Sequence, residues 1–300
     1  MKNFDVIVIG GSYGGMAAAL QLARGRRQVA VIDAGIRRNR FAQHSYGLLG
    51  QDGKPPELIA SEAKAQLLNY PNVSWFDSTV ESAEKAGNLF TVVTVDNTTL
   101  TAKRLLLATG VSDNLPTILG LQERWGKSIF HCPYCHGYEL NQGPLGVLAI
   151  GEVSMHQALL IPDWGPTTFF TNNCFTPNEL QRKQLAARNV HIETESVTEI
   201  FGEQADLKLA NGRIIKLVGI FVASQTKPAS SIVQKLGCEL AESPMGFYVK
   251  TDEFKQTSVP GVFACGDLAR PAGSVTFAIG DGALAGFAVH KSLIFDDLPK

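Results

Sequence analysis

The chain has 300 residues, 45% of them hydrophobic and 18% charged, with a formal net charge of −1. That balance excludes a disordered chain and supplies apolar side chains for one large core or two ordinary ones. A near-neutral chain with no basic block interleaved with aromatics argues against nucleic acid, and no apolar run reaches the roughly 18 residues of a membrane span.

Met1-Lys2-Asn3-Phe4 leads straight into a strand and leaves no room for a signal or transit sequence, so the expected location is cytoplasmic. Residues 5–9 form an apolar run suited to a buried parallel strand, which enters Gly10-Gly11-Ser12-Tyr13-Gly14-Gly15 and then the small-residue helix start 16–20. This is the order of a dinucleotide-binding turn, with Ser12 where the second glycine of G-x-G-x-x-G is expected. Gly10 permits the tight turn, Gly15 permits close helix packing, and the amides at the helix start face a pyrophosphate. A second strand over 28–33 ends in Asp33, placed to accept ribose hydroxyls. Residues 35–53, with Arg40, Phe41, His44 and Tyr46, read as a long loop of the kind that holds something. Arg24, Arg26 and Arg27 with Arg37, Arg38 and Arg40 make the densest basic stretch, read mostly as a solvated face.

A helix is expected over 56–68, short strands over 73–76 and 78–82, and a hairpin or meander over 89–95 and 100–107 turning at Asp96-Asn97. The strand 105–107 leaves through Ala108-Thr109-Gly110, and Asn114-Leu115-Pro116 reads as a hinge. His131-Cys132-Pro133-Tyr134-Cys135-His136-Gly137 follows. Proline after Cys132 is pre-set for the first helical position, so Cys132 falls at the N-cap with Cys135 one turn on, and both sulfurs come together. Thiols at a helix start are stabilised as thiolates, which suits a dithiol/disulfide couple. Zinc would need two more ligands, and Cys174, Cys238 and Cys265 stand singly. A glutaredoxin-type site and an inert buried pair are the other readings.

A new first strand is expected over 145–150, running into a second glycine turn, Gly151-Glu152-Val153-Ser154-Met155-His156, and a short helix stopped by Pro162. Thr176-Pro177-Asn178-Glu179 reads as a capping box opening a helix to about Arg188, and Asn211-Gly212 as a hairpin turn. A strand over 262–264 ends in Cys265-Gly266-Asp267, and a last helix runs over 274–293. The fold class is α/β: two Rossmann-like three-layer (ββα) nucleotide-binding domains, the first over 1–114 and 241–300, the second inserted over 115–240.

This ordered set of motifs resembles the low-molecular-weight thioredoxin reductases over the whole chain. The Cys-Pro-Tyr-Cys-His-Gly-Tyr-Glu form is similar to gliotoxin-type dithiol oxidases and to thioredoxin-reductase-like proteins that do not use a pyridine nucleotide. The resemblance implies an FAD-dependent homodimer in which Gly10, Ser12, Gly15, Asp33, Thr109, Gly110 and Asp267 hold FAD, with Ser274 and Val275 facing the flavin edge. Tyr13, Gly14, Ala34, Arg40, His44, Val80, Ala108 and Gly266 complete the expected cofactor set. It further implies that Cys135 is the sulfur beside the flavin and Cys132 the one that meets the substrate. His136 stands where the family more often has an aspartate, and is expected to move a proton.

The second turn departs from the family. Val153 and His156 stand where glycine and a small residue belong, Glu152 adds negative charge, and Asn172-Asn173-Cys174 offers neither an arginine for a 2′-phosphate nor an acid for a ribose. The expectation is a thiol/disulfide oxidoreductase with a partner other than NADPH. A ferredoxin-like donor that reduces a thioredoxin-like protein is favoured, with oxidation of a small dithiol by oxygen as the alternative and a non-enzymatic flavin sensor as a second.

Overall fold

The computed structural model describes residues 2–296 and 298; the expected domain limits at 1 and 300 lie outside them. The chain divides into two compact units, Met1–Arg40 with Pro56–Ser112 and Thr226–Lys300, and Phe41–Pro55 with Asp113–Gln225.

In the first unit, β1 (Lys2–Ile9), β2 (Val29–Asp33), β3 (Val73–Asp77) and β6 (Thr99–Leu107) form a parallel sheet in the order β3-β2-β1-β6, with Val262–Ala264 parallel to β6. Val6 to Val8 of β1 and Leu105 to Leu107 of β6 are fully buried, which is why these strands read as unbroken apolar runs. Helix α1 (Tyr13–Arg24) packs on the last helix, Val275–Phe295, through glycines. A Cβ on Gly282 would overlap the Gly14 carbonyl, and one on Gly286 would lie 2.7 Å from the Ala18 carbonyl oxygen.

The sequence suggests a hairpin or meander over 89–107, preceded by a short strand over 78–82. It is the meander: β4 (Val80–Ala86), β5 (Leu89–Thr94) and β6 pair antiparallel, with β4 running on past residue 82 to Ala86. Residues 81–86 are rich in Glu, Lys and Ala, poor strand formers, and pairing with β5 overrides that preference.

The second unit carries a five-stranded parallel sheet in the order His191–Glu193, Thr167–Phe170, Leu145–Leu148, Gly219–Val222, Ile129–Phe130. The capping box exists but sits two residues later than expected. Asn178 accepts from the Gln181 amide and Gln181 accepts from the Asn178 amide, so the helix is Glu179–Ala187 and Thr176 stands outside it. The turn at Asn211-Gly212 joins Asp206–Leu209 to Ile214–Ile215, with Gly212 at φ +85°.

Residues 226–240, read from sequence as part of the insert, belong to the first unit because Ile232 and Val233 are buried in its core. Residues 41–55 belong to the second, where Phe41 packs on the core containing Trp125 and Ile200.

Candidate active site

The first glycine turn is built for close backbone approach. Gly10 has φ +102°, and a Cβ there would overlap the Ala108 carbonyl; a Cβ on Gly15 would overlap the Gly10 carbonyl oxygen. Ser12 caps α1 in extended conformation and makes no side-chain cap bond. The Gly11 amide donates to Asp33 Oδ1 at 2.9 Å, so the acid at the end of β2 is held beside the turn. Tyr13 is buried; its hydroxyl donates to the Pro56 carbonyl at 3.1 Å and accepts from Asn39 Nδ2 at 3.2 Å, and burial pushes its pKa up. A Cβ on Gly14 would lie 3.2 Å from the Ala278 carbonyl oxygen, so this position too has little room for a side chain.

Asp267, after Gly266 at φ +69°, pairs with Arg38 at 2.9 Å, both half-buried. Ser274 caps the last helix by accepting from the Phe277 amide at 3.1 Å, and Val275 is its first residue. Gly110, at φ +67°, accepts from Ala229, and Val80 is buried at the start of β4. Ala34 and Arg40 are exposed, and Arg40 donates to the Arg37 carbonyl at 2.8 Å. His44 falls in the other unit, with Nδ1 3.0 Å from the Gly53 carbonyl.

The polar atoms of the first unit fit FAD. Thr109 Oγ1, Asp267 Oδ1 and Asn39 Oδ1 are buried without hydrogen-bond partners. Such orphaned atoms are costly unless a ligand satisfies them, and they accompany a turn that glycine keeps open to phosphate. Sequence reasoning misses Arg38 and Asn39, since an arginine-rich loop looks like solvated surface until Asp267 is seen opposite it.

In the second unit, Cys132 and Cys135 form a disulfide with their Cα atoms 5.3 Å apart. As expected, Cys132 is the N-cap and Pro133 the first residue of the helix Pro133–His136. The pair follows the edge strand Ile129–Phe130, at the carboxyl end of the parallel sheet where functional groups collect in such folds. Aromatic residues lie next to it in the chain. Tyr134 meets Trp164 edge-on at 5.2 Å, and Tyr134 and Tyr138 are exposed.

His136 stacks on Phe130 at 4.5 Å and meets Tyr46 edge-on at 6.5 Å. Burial pushes its pKa down from 6.5 to about 4, so the ring is neutral at pH 7. The unfolded chain binds a proton here below about pH 6.5, while the folded chain does not until about pH 4. This contribution to stability is therefore complete above pH 6.5 and is lost as pH falls towards 4, by up to about 3 kcal/mol. Thermal unfolding followed from pH 7 to pH 4.5 should show the slope, and H136Q should flatten it.

The second glycine turn carries side chains at the positions after Gly151. Ser154, fully buried, accepts the Ile150 amide at 3.0 Å, so a serine hydroxyl takes an amide at the turn. Glu152 accepts from Gln181 at 2.8 Å, and Val153 has helical φ and ψ at the turn. Asn172 and Asn173 both take left-handed conformations, with Asn172 accepting the Val197 amide and Asn173 donating to Ser196.

The pyridine nucleotide-disulphide oxidoreductase family model matches residues 4–160 and 176–282. A thioredoxin reductase, sirT of Leptosphaeria maculans, is 29% identical, covering 98% of this chain and 96% of its own. Another, tcpT of Claviceps purpurea, is 30% identical, covering 97% and 95%. The crystal structure of an oxidoreductase from Agrobacterium tumefaciens is 52% identical with a TM-score of 0.96, covering 99% and 100%. The chain belongs to the pyridine nucleotide-disulphide oxidoreductase family. Within it, the chain is a thioredoxin reductase-like disulfide oxidoreductase, a member of a group of FAD-binding flavoproteins.

Proposed function

We propose that this enzyme oxidises a small dithiol at the Cys132–Cys135 disulfide, with FAD as its resident redox group and oxygen rather than NADPH as its redox partner. The observation that carries the reading is the second glycine turn, where Ser154 takes the Ile150 amide and Glu152 and Val153 replace the open, uncharged turn that a pyrophosphate needs. Gly10, Ser12, Tyr13, Gly14, Gly15, Asp33, Thr109, Gly110, Asp267 and the start of the last helix hold FAD, with Arg38 keeping Asp267 in place. When bound, FAD supplies a two-electron carrier that reacts with oxygen. The dithiol loses two electrons and two protons and becomes a disulfide; oxygen takes them up as hydrogen peroxide.

Tyr134, between the two cysteines, and Tyr138, after them, are exposed and offer aromatic surface to a small apolar dithiol. A basic face for docking an acidic ferredoxin-like donor is reduced, because Arg38 pairs with Asp267 and Arg37 is half-buried. Among the described residues, no helix is long and apolar enough to cross a membrane, and a redox-active pair of this kind suits the cytoplasm.

Anaerobic mixing of the yellow protein with NADPH should leave the flavin oxidised, whereas dithiothreitol should bleach it and air should restore the colour with peroxide release. Fast bleaching by NADPH would overturn the reading. Bleaching by reduced ferredoxin, with no dithiol oxidation in air, would favour the donor alternative.

A homodimer belongs to the same reading. Phe277, Leu284, Phe287, Ile294 and Phe295 line one exposed stripe of the last helix, and a second copy of this chain would cover it. Sedimentation should give twice the 32.3 kDa chain mass, and F287E should shift it towards the monomer.

A further inference from the structure

Arg270 follows the turn Gly266–Ala269, and Ser274 caps the last helix shortly after it. The Arg270 side chain lies along one face of that helix. Its guanidinium carbon is 4.5 Å from the centre of the Phe277 ring, and Nη1 donates to Asp281 Oδ1 at 2.9 Å. Phe277 and Asp281 stand one helical turn apart, so both contacts fall within the first two turns. The loop 271–273 between Arg270 and Ser274 closes on Asp267, where a Cβ on Gly273 would overlap the carboxylate. Fixing Arg270 therefore fixes Asp267 and the helix start relative to each other.

The charges of this cluster do not balance. Asp281 is buried, and Lys255 Nζ reaches the same Oδ1 at 2.9 Å from the turn ahead of the strand Val262–Ala264. Among the described residues, Lys255 and Arg270 share this one carboxylate, which leaves one positive charge in excess. Arg38 and Asp267 form a neutral pair and do not offset it. Asp281 Oδ2 and Arg270 Nε are also buried without partners. The positive end of the helix Val275–Phe295 adds its own field to that excess. Like charge gathered at one place is unfavourable, and an anion bound there relieves it.

We propose that Arg270, anchored by Phe277 and Asp281, is a positioning residue for FAD: it holds the loop 271–273 closed on Asp267, and the charge that Asp281 leaves uncompensated draws the anionic cofactor to the start of the last helix. This rests on the reading that FAD occupies the first unit. Lys255 has the second part in it, since its pairing with Asp281 leaves the Arg270 charge unneutralised.

The test measures cofactor retention rather than turnover. Yellow holoenzyme is diluted at low and high ionic strength, and the fluorescence of released FAD gives the dissociation constant. R270M should weaken FAD binding about 10-fold at low ionic strength, the effect of a partly buried charge at a helix end. Added salt should weaken wild type more than R270M, narrowing the gap. R270K, which keeps the charge, should recover most of the loss, and K255M, which leaves the Asp281–Arg270 pair neutral, should bind more weakly than wild type. Melting temperatures of the flavin-free proteins should agree between wild type and R270M and separate once FAD is added. Equal FAD release from R270M and wild type, an R270K variant as weak as R270M, or a melting loss in R270M that is the same with and without FAD would overturn the role of Arg270 while leaving the cofactor in place. Wild-type protein that is isolated colourless and takes up no FAD would instead sink the cofactor reading on which this one stands.

Discussion

Replacing either Cys132 or Cys135 with serine should lower dithiol oxidation on the order of 1,000-fold or more while leaving the protein yellow, because each variant removes one sulfur of the exchanging pair and touches none of the groups that hold FAD. The two variants should differ in a second measurement. With Cys135 gone, Cys132 at the helix N-cap keeps the environment that favours thiolate and should react with an aromatic disulfide reagent to give one stable mixed-disulfide adduct. The remaining cysteines supply the controls. Cys265 is fully buried and its thiol is pushed up to about 12, so it should resist alkylation. Cys174 is exposed and should label, yet C174S should turn over like wild type. Wild-type rates in C132S or C135S, with FAD bound, would remove the disulfide from the reaction.

Much of this was legible in the sequence because the decisive features are local. A proline after Cys132 fixes the start of one helical turn, and the turn brings the two sulfurs together without help from the rest of the fold. The first glycine turn is likewise written in three consecutive elements, strand, turn and helix. What escaped were groups joined across long separations. Arg38 meets Asp267 from the far end of the chain, Asn39 meets Tyr13, and Ser224 reaches Asp113 and His131 from another strand of the insert. Nothing in the spacing of those residues marks them, since their meeting depends on sheet order. The shift of the capping box from Thr176 to Asn178 is a smaller case. Both positions carry a suitable cap residue, and the glutamine three residues after Asn178 settles the competition by closing the reciprocal bond. The extension of β4 to Ala86 escaped for a different reason, because its Glu and Lys residues leave Val80 and Ala83 alone buried, a spacing broken by the register shift between Val80 and Ser82.

Replacing Gly15 with alanine should yield protein that binds little or no FAD. The added Cβ would sit on top of the Gly10 carbonyl oxygen, a backbone atom that cannot swing aside as a flexible side chain would. Relief requires either that α1 withdraw from the turn or that the Gly10 peptide rotate. Withdrawal is opposed by the packing of α1 against the last helix, where Gly282 approaches the Gly14 carbonyl so closely that no slack remains. Rotation is opposed by the Gly10 amide, which donates to Ile32 at 2.8 Å, and by the Ala108 carbonyl lying against the Gly10 Cα. Either movement displaces the amides at the start of α1 from the phosphate position, so cofactor affinity and fold stability should fall together. The ratio of visible to ultraviolet absorbance of purified G15A, with its melting temperature measured with and without added FAD, separates the two losses. A stable protein that stays colourless in excess FAD places the damage in the cradle; full yellow colour at the wild-type melting temperature would mean that the turn has room the packing of Gly10, Gly14 and Gly282 denies.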